Sequence, residues 1–460
     1  MTAASPLTAL CGHEHRCVIP SDNVSTDQPR TAAGDLVTLS LDGWAHGGEA
    51  VGRLPEGMAC FVAHALPGET VTARISEKKK RWARAELVEV LEASPHRVEP
   101  PCPYYGPDRC GGCQLQHAAP PHQLELKARV LREQLIRIGR VEDPPAIVVD
   151  PVPDAWPQGY RAWARMAVAP DGALGFRRAG SHDVHPIDHC LLMTDDAADL
   201  REDAGDGWTG VDEVGLMAGT DGRLLTIHPG TGGVPAAPEG SFGVALQATG
   251  APAVLREPGA VTMRVHDVDL RVSAGAFFQA GPAAAAALVD LVVAAASPAD
   301  PIDLTGMHVL DLYGGVGLFS AFLARAGARV TLVESSEQAT ADARDNLADL
   351  DVTVVTADVA DVMDELADVD VVVLDPPRSG AGPDVCRELA ALRPDRLVYV
   401  ACDPAALARD TKALLAEGMQ LASVQGLDVF GHTAHVEAVA TFLPVSGAAI
   451  DDSTAGAEGQ

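Results

Sequence analysis

The chain has 460 residues, 47% of them hydrophobic, so it is long enough for two to four folded domains. Its 34 basic and 64 acidic side chains give a net charge of −30, which counts against nucleic-acid binding by the chain as a whole but not by a local basic surface. No apolar run reaches membrane-spanning length and no signal peptide is evident, so we expect a cytoplasmic protein with no membrane contact. Nine cysteines in that compartment favour metal binding or catalysis over disulfides.

Residues 1–30 are rich in Ser, Thr, Asp and Pro without periodicity, so we predict a disordered tail, and we assign a second tail to residues 446–460. From 31 to 94, short alternating strands are separated by glycine and proline. That pattern is typical of a small closed β-barrel that binds oligonucleotides. Two of its pieces, Gly47–Arg53 and Ala65–Glu69, resemble the TRAM module of RNA-modifying enzymes, which implies an OB-like barrel and an RNA partner.

Two stretches could supply local positive charge despite the acidic composition. The first runs from Lys78 to Arg84 and includes Trp82, and the second runs from Arg161 to Arg178. The first stretch fits a solvated strand edge guarded by lysines as well as it fits an RNA contact, so both interpretations stay open.

A small β-rich central domain is predicted over residues 95–270, and a glycine-rich turn near its start carries Cys102, Cys110 and Cys113. The other cysteine of this region is Cys190. Three cysteines, the last two separated by two residues, form a metal-ligand pattern. Four soft thiolates suit zinc or an iron–sulfur cluster about equally.

Helical periodicity predicts a helix over 122–139 that could pack on the following domain, whereas residues 199–260 carry little recognisable signal. From 271 to 445, strands and helices alternate. This alternation predicts an α/β domain with a doubly wound, mostly parallel sheet flanked by helices.

Five residues of the α/β domain each follow a predicted strand at its carboxyl end: Gly314, Glu334, Asp358, Asp375 and Cys402. In an open α/β sheet those ends form one crevice, where ligands bind. A glycine turn that opens a helix can approach a ligand closely, Glu334 could hold a ribose diol, and Asp358 could take an adenine amino group. The sequence therefore predicts a nucleoside site, for either a dinucleotide or S-adenosylmethionine.

Cys402 ends the apolar strand Leu397–Ala401, and Asp403 and Pro404 then open a helix with a capping residue and a first-turn proline. A thiol at the edge of a sheet, beside the positive end of a helix, is expected to ionise more easily. We therefore predict a reactive cysteine, although a lone cysteine is more often buried and inert.

Several motifs together resemble the RNA uracil-5-methyltransferase family: Phe277–Gln279, Asp311–Gly317, Asp375–Arg378, Val400–Asp410 and His435–Glu437. With the barrel and the cysteine block, the resemblance spans residues 34–443. It implies a class I methyltransferase domain that uses S-adenosylmethionine to methylate carbon 5 of uridine in RNA. In that chemistry a thiolate adds to carbon 6, the enolate attacks the methyl group, and a base removes the carbon-5 proton.

The resemblance assigns the thiolate to Cys402 and the base to Glu437. The other residues that it implies surround the cofactor and the target base: Gln279, Tyr313, Gly315, Leu318, Glu334, Asp358 and Asp375. Because carbon 6 cannot be reached inside a duplex, the target uridine must be flipped out or single-stranded.

The cysteine block is similar to the four-iron site of the same family, through Cys110–His117 and Asp188–Cys190. The similarity implies a [4Fe-4S] cluster, with a structural role, held by Cys102, Cys110, Cys113 and Cys190. The gap before Cys110 is two residues longer than the family pattern, which makes Cys102 the least typical ligand.

This chain departs from the family pattern at two positions beside the predicted site. Gly314 stands where the family usually has cysteine, and Asp403 stands where it usually has asparagine. We expect the first change to be harmless. The second adds a negative charge beside the nucleophile and should raise its pKa.

The barrel and the cysteine block favour 23S ribosomal RNA as the substrate, with the T-loop uridine of tRNA as the alternative. A non-catalytic iron–sulfur RNA-binding protein on the same fold is an alternative of a different class. Methylation of cytosine in DNA fits Asp375–Arg378 and the late Cys402 badly. We expect a monomer with a basic RNA-binding face.

Overall fold

A computed structural model of the chain describes residues 31–232, 236, 238–363 and 366–445. The predicted tails, 1–30 and 446–460, lie outside the described residues. Within these ranges no helix is long and apolar enough to span a bilayer.

Five strands close a barrel in the order β1-β2-β3-β5-β4. Their bounds are β1 Leu36–Trp44, β2 Ala50–Arg53, β3 Ala59–Val62, β4 Thr70–Lys78 and β5 Trp82–Glu92. Leu39 and Leu41 are buried while their neighbours in β1 point outward, because side chains alternate across a strand and one face lines the interior. The predicted closed barrel is confirmed.

Helix α1 (Pro120–Arg137) connects the barrel to the rest of the molecule, and strand β6 (Ile147–Pro151) follows it. A proline starts the helix, where a missing backbone N–H costs nothing. Leu126 and Val130 pack into the barrel core, while Leu131 and Leu135 pack into a core of the α/β sheet. Because α1 belongs to two cores, it sets the position of the barrel against that sheet.

A seven-stranded sheet has the order β13-β12-β11-β10-β7-β8-β9. Its strands are β7 Trp163–Val168, β8 Leu174–Arg177, β9 Val184–Pro186, β10 Val211–Ala218, β11 Arg223–Pro229, β12 Gly243–Leu246 and β13 Ala253–Arg256. Helix α2 (Asp195–Ala204) packs on β10 and β11, and its first turn is capped by the Thr194 side chain. Residues 211–256, where the sequence carried little signal, thus supply four of the seven strands.

Eight strands form the α/β sheet in the order β18-β17-β16-β19-β20-β22-β21-β6. The strands after β6 are β16 His308–Leu312, β17 Arg329–Glu334, β18 Val352–Thr356, β19 Val371–Leu374, β20 Arg396–Ala401, β21 Met419–Asp428 and β22 Glu437–Pro444. Its helices are α3 Pro282–Ala296, α4 Leu318–Arg325, α5 Glu337–Asn346, α6 Val359–Val362, α7 Pro383–Ala391 and α8 Pro404–Ala416. The five strands β16, β17, β18, β19 and β20 are parallel to one another. Strand β22 runs antiparallel to both of its neighbours, β20 and β21. The predicted doubly wound, mostly parallel sheet is confirmed.

Two elements from the segment 95–270 belong to the α/β domain. Strand β6 is the edge strand beside β21. The hairpin of β14 (Ala260–Val265) and β15 (Val268–Ser273) packs against α3 and α5, so residue 270 lies inside a strand. Elements on both sides of the predicted limit at residue 270 thus pack together in one domain. The domain limits read from the sequence stay predictions.

Candidate active site

The thiol of Cys402 and the carboxyl of Glu437 lie across from each other on neighbouring strands. Strands β20 and β22 are antiparallel and their last aligned pair is Ala401 with Ala438, so one further residue sets Cys402 opposite Glu437. Directly opposed side chains have Cβ atoms about 5 Å apart in such a pair. Two residues that are 35 positions apart in the sequence thus meet at one edge of the sheet.

The surroundings of Cys402 differ from those predicted for an easily ionised thiol. Burial raises the pKa of Cys402 to about 12, and the carboxyls of Glu437, Asp375 and Asp403 act in the same direction. The guanidinium of Arg378 acts against them. The start of α8 does lie beside the thiol, but burial among carboxyls outweighs it, so the expected low thiol pKa is wrong for the free protein.

A third carboxyl, that of Asp375, completes the group at the ends of β19, β20 and β22. The Gln279 side-chain amide donates a hydrogen bond to Asp375 Oδ2 at 3.0 Å, as expected if both residues serve one site. Burial raises the pKa of both Asp375 and Glu437, and the pKa of Glu437 is raised further by the charge of Asp375. Arg378 lowers the pKa of Glu437. Glu437 is only 4% exposed, so it is not a solvated surface carboxylate.

The glycine turn after β16 faces the carboxylate that ends β17. The backbone N–H of Gly315 donates to Glu334 Oε2 at 3.2 Å, and the N–H of Ser336 donates to Glu334 Oε1 at 2.7 Å. Gly315 has a φ of 56° and Gly317 a φ of 91°, backbone conformations that favour glycine. Glu334 is thus held in place at the lip of the crevice, next to a helix start.

The remaining predicted cofactor residues lie around this turn in different environments. Tyr313 has a φ of 60°, in the left-handed region, and its side chain is partly buried near Asp358. Asp358 is exposed, and its Oδ1 accepts a hydrogen bond from the N–H of Ala360, which caps α6. Leu318 is 6% exposed and packs into the core at the start of α4. Their contacts with a cofactor remain predictions.

A hydrogen-bonded clamp that the sequence did not reveal holds the loop 428–436, which leads into Glu437. The Gln123 side-chain oxygen accepts from the His432 N–H at 3.0 Å, and its nitrogen lies 3.1 Å from His432 Nδ1. The N–H groups of Gln114 and Leu115 both donate to the His432 carbonyl. Because these partners come from the segment next to the cysteine block, no local pattern could have indicated them.

The same loop is anchored by a buried ion pair. Lys127 Nζ lies 2.6 Å from Asp428 Oδ1 and donates to the Phe430 carbonyl at 3.1 Å. Both charged side chains are nearly inaccessible to solvent. The Trp156 indole N–H also donates to Asp428, at 2.8 Å. The sequence pattern of α1 did not predict that Lys127 pairs with Asp428.

Two residues of the sequence motifs, Phe277 and Arg378, show in the structure an exposure that the sequence did not indicate. Phe277 is 64% exposed although it is a large aromatic residue, and it lies two positions before Gln279. Arg378 is exposed and forms no ion pair within the described residues, although its charge acts on both Cys402 and Glu437. An unpaired cation and an exposed aromatic ring beside a crevice suit a nucleotide ligand.

The four predicted metal-ligating cysteines line one cavity together with aromatic residues and Arg161: three from one turn (Cys102, Cys110 and Cys113) and the distant Cys190. All four are free thiols that are partly buried. Burial raises the pKa of Cys113 to about 12, and neighbouring thiols act in the same direction. In the described part of the chain, no group of three or more His, Cys, Asp or Glu residues forms a site for a single metal ion.

The parallel sheet, the crevice at its carboxyl edge and the attached barrel define a class I methyltransferase fold joined to a TRAM domain. The TRAM family model matches residues 31–88, and the model described as conserved hypothetical protein 95 matches residues 294–416. An uncharacterised RNA methyltransferase of Streptomyces coelicolor is 38% identical over 443 residues, which cover 91% of this chain and 95% of that protein. The 23S rRNA (uracil(1939)-C(5))-methyltransferase RlmD of Pseudomonas putida is 33% identical, over 90% of this chain and 95% of its own length. The chain belongs to the RNA uracil-5-methyltransferase family.

A solved structure of similar architecture extends the comparison to the whole fold. The tRNA (uracil-54, C5)-methyltransferase of Pyrococcus abyssi, solved in complex with S-adenosyl-L-homocysteine, is 25% identical with a TM-score of 0.70. The match covers 88% of this chain and 100% of that one.

Proposed function

We propose that this protein transfers a methyl group from S-adenosylmethionine to carbon 5 of a uridine in RNA, through a covalent adduct on Cys402. The observation that carries the proposal is the opposition of Cys402 and Glu437 at the end of the sheet. A thiol and a buried carboxyl of raised pKa at one crevice provide a nucleophile and a proton acceptor for one reaction.

In this reaction Cys402 would release its proton to solvent and its sulfur would form a bond to uracil carbon 6, which leaves an enolate at carbon 5; transfer of the methyl group then leaves S-adenosylhomocysteine. S-adenosylmethionine supplies the methyl group that the enolate takes up. Glu437 then removes the carbon-5 proton, and the bond between sulfur and carbon 6 breaks to release methylated RNA and the thiolate. Asp375 and Gln279 would orient the base, because they are hydrogen-bonded to each other within the same group.

The lip of the crevice fits the nucleoside half of S-adenosylmethionine. Glu334 presents a carboxylate at the end of β17, oriented by the N–H groups of Gly315 and Ser336. A carboxylate in this position is suited to a ribose diol. Glu334 would hold the ribose, and Tyr313 and Asp358 would border the adenine.

The barrel offers a surface for the RNA partner. Phe61 and Trp82 lie in edge-to-face contact, with ring centroids 6.4 Å apart, and the Arg84 guanidinium lies 5.2 Å from the centre of the Trp82 ring. Lys80 and Arg81, on the adjoining turn, are exposed. Aromatic rings among cations are the usual platform for single-stranded RNA, which favours the RNA-contact interpretation of this stretch.

We propose 23S ribosomal RNA as the substrate, because the named relatives that match over nine-tenths of their length include enzymes for that RNA. The tRNA T-loop uridine is the second candidate, favoured by the similar Pyrococcus abyssi structure. Mapping 5-methyluridine by mass spectrometry in rRNA and tRNA, from cells with and without the gene, decides between them. The absence of any change in either RNA would contradict both candidates.

We also propose that the four cysteines hold a [4Fe-4S] cluster that stabilises the segment around Cys113. A single zinc ion needs sulfurs about 3.8 Å apart, at zinc–sulfur bonds of about 2.3 Å. In a cluster each cysteine binds a different iron, so the sulfurs are further apart. The four thiols line one cavity and so could supply one ligand to each iron of a cluster. Anaerobic purification with iron, sulfide and zinc quantification tests this, and bound zinc would refute it.

Replacing Cys402 by alanine tests the central assignment. We expect methyl transfer to be abolished while binding of the RNA and of S-adenosylhomocysteine is retained. Full activity of the alanine variant would refute the proposed nucleophile, whereas a wild-type protein that binds RNA without methylating it would support a binding protein. A cytoplasmic location and a monomeric state stay predictions.

A further inference from the structure

The first hairpin of the barrel reaches the active site. Between β1 and β2 the chain makes a tight turn, closed by a hydrogen bond from the Gly48 N–H to the Ala45 carbonyl at 3.0 Å. A Cβ atom added at Gly48 would lie 3.1 Å from the Cβ atoms of Ala434 and Gln114, so the turn packs tightly on the loop before Glu437. The turn is therefore packed between the loop before Glu437 and the segment that carries Gln114.

At the tip, His46 lies against the residue that follows the nucleophile. His46 Nε2 is 3.1 Å from Asp403 Oδ2, across 357 positions of sequence. The other carboxylate oxygen, Asp403 Oδ1, accepts a hydrogen bond from the Ala406 N–H at 2.7 Å and caps α8. One carboxylate oxygen of Asp403 thus caps its own helix, and the other contacts His46 of the barrel.

We propose that His46 is a positioning residue for the nucleophile: its hydrogen bond to Asp403 fixes the carboxylate beside Cys402 and makes the reactivity of the thiol depend on the docked barrel. This inference rests on the proposed function, because it takes Cys402 as the nucleophile. It also accounts for the aspartate that stands where the family usually has asparagine. A carboxylate next to the nucleophile is tolerable when a hydrogen-bond donor from another domain is paired with it and stabilises its charge.

The charges that face the two groups are few and can be named. Cys402 is faced by the carboxyls of Glu437, Asp375 and Asp403 and by the guanidinium of Arg378. The hydrogen bond to His46 is the largest cause of the low pKa of Asp403, about 2, so Asp403 stays ionised at neutral pH. Removal of His46 would leave that carboxylate without its partner beside the thiol. The thiolate would become less favourable.

The test measures the reactivity of Cys402 itself, without RNA. The full-length protein is treated with iodoacetamide at pH 7 to 10, and the alkylation rate at Cys402 is followed by peptide mass spectrometry. We expect His46→Ala to slow alkylation by about 2- to 10-fold, equivalent to an increase of up to about one unit in the thiol pKa. His46→Gln, which keeps a hydrogen-bond donor on a side chain of different shape, should give an intermediate rate.

The decisive variant is the double substitution His46→Ala with Asp403→Asn. Asparagine caps a helix as well as aspartate does, so α8 is preserved while the charge is removed. We expect Asp403→Asn to react at least as fast as the wild type and the double variant to match it. His266→Ala is the matched control, because His266 Nε2 contacts Asp290 at 2.9 Å, a similar pair on α3.

Two results would overturn the proposal: a His46→Ala rate equal to that of the wild type and of the control, or a double variant as slow as His46→Ala. Thermal midpoints of all variants identify any that fail to fold, and His46→Gln then provides the comparison. A failure of the proposed function is detected by a different measurement, the methyl-transfer activity of the Cys402→Ala variant. If Cys402→Ala retains methyl transfer, Cys402 is not the nucleophile whatever the alkylation rates are.

Discussion

Gln123 is the residue on which the loop before Glu437 most depends, and its replacement by alanine should both destabilise the protein and misplace the base. The side chain is fully buried. Its nitrogen donates to the carbonyls of Leu115 and Ala118 and contacts His432 Nδ1, and its oxygen accepts from the His432 N–H. The substitution removes all of these contacts at once.

The expected magnitude follows from those contacts. Each hydrogen bond contributes about 1 kcal/mol net, and the Gln123 amide makes about three at full strength because its NH2 group has two hydrogens, so together they contribute about 3 kcal/mol, and the buried His432 N–H loses its partner. A loss of about 3–5 kcal/mol in the free energy of unfolding is a large part of the 5–15 kcal/mol typical of a domain. Gln123→Glu, which keeps the volume but points an oxygen at the carbonyls of Leu115 and Ala118, should cost a similar amount.

The assay combines chemical denaturation with hydrogen exchange of a peptide that covers residues 428–436. Both variants should exchange faster in that peptide, while peptides from β1 and β4 remain protected. Gln420→Ala, at an exposed position of β21, is the control and should change the unfolding free energy by less than about 0.5 kcal/mol. A Gln123→Glu variant as stable as the wild type would refute the reasoning, because packing rather than hydrogen bonding would then hold the loop.

Replacing Glu437 by Gln should lower turnover by about 10²- to 10⁴-fold, because the variant cannot remove the carbon-5 proton. A covalent RNA–protein adduct should then accumulate and be visible on denaturing gels. Normal turnover would rule Glu437 out as the base. Glu334→Ala should weaken binding of S-adenosylhomocysteine by about 10- to 100-fold in calorimetry, because a hydrogen bond to a charged group is worth about 1.5–3 kcal/mol; unchanged affinity would exclude the ribose role. Burial raises the pKa of Asp311 from 3.8 to about 7, so the folded state keeps a proton that the unfolded chain releases above pH 4. The stability of the wild type should therefore decrease as pH rises from 4 to 7, and Asp311→Asn should remove that part of the decrease in denaturation curves; a variant with the wild-type slope would contradict the shift.

Much of the α/β domain could be predicted because its signals are local. Each of the strands β16 to β20 is a short apolar run, and parallel strands of one sheet present their carboxyl ends at the same edge. The apolar runs alone therefore predict that the positions following them, from Gly314 to Cys402, lie at one crevice. The barrel was accessible in the same way, through alternating residues between glycine turns.

The electrostatic character of the site was not predictable in the same way. Proximity to a helix start suggested an easily ionised Cys402, but the thiol lies partly buried among three carboxyls, and its pKa is raised. Gly314 shows a second limit. A Cβ at this position would lie 2.6 Å from Leu332 Cγ, so the glycine matches a neighbour from the next strand rather than a local turn requirement alone.

The order of the strands along the chain, the residue types at their ends and the family to which the motifs point could all be predicted, because these depend on short-range periodicity and local chemistry. Which distant residues meet depends instead on the packed fold. It set Glu437 opposite Cys402 through the β20–β22 register, brought His46 of the barrel to Asp403, and buried Lys127 against Asp428. These contacts join positions 35, 357 and 301 residues apart, and no local propensity encodes them, since they arise from the packing of whole elements against one another.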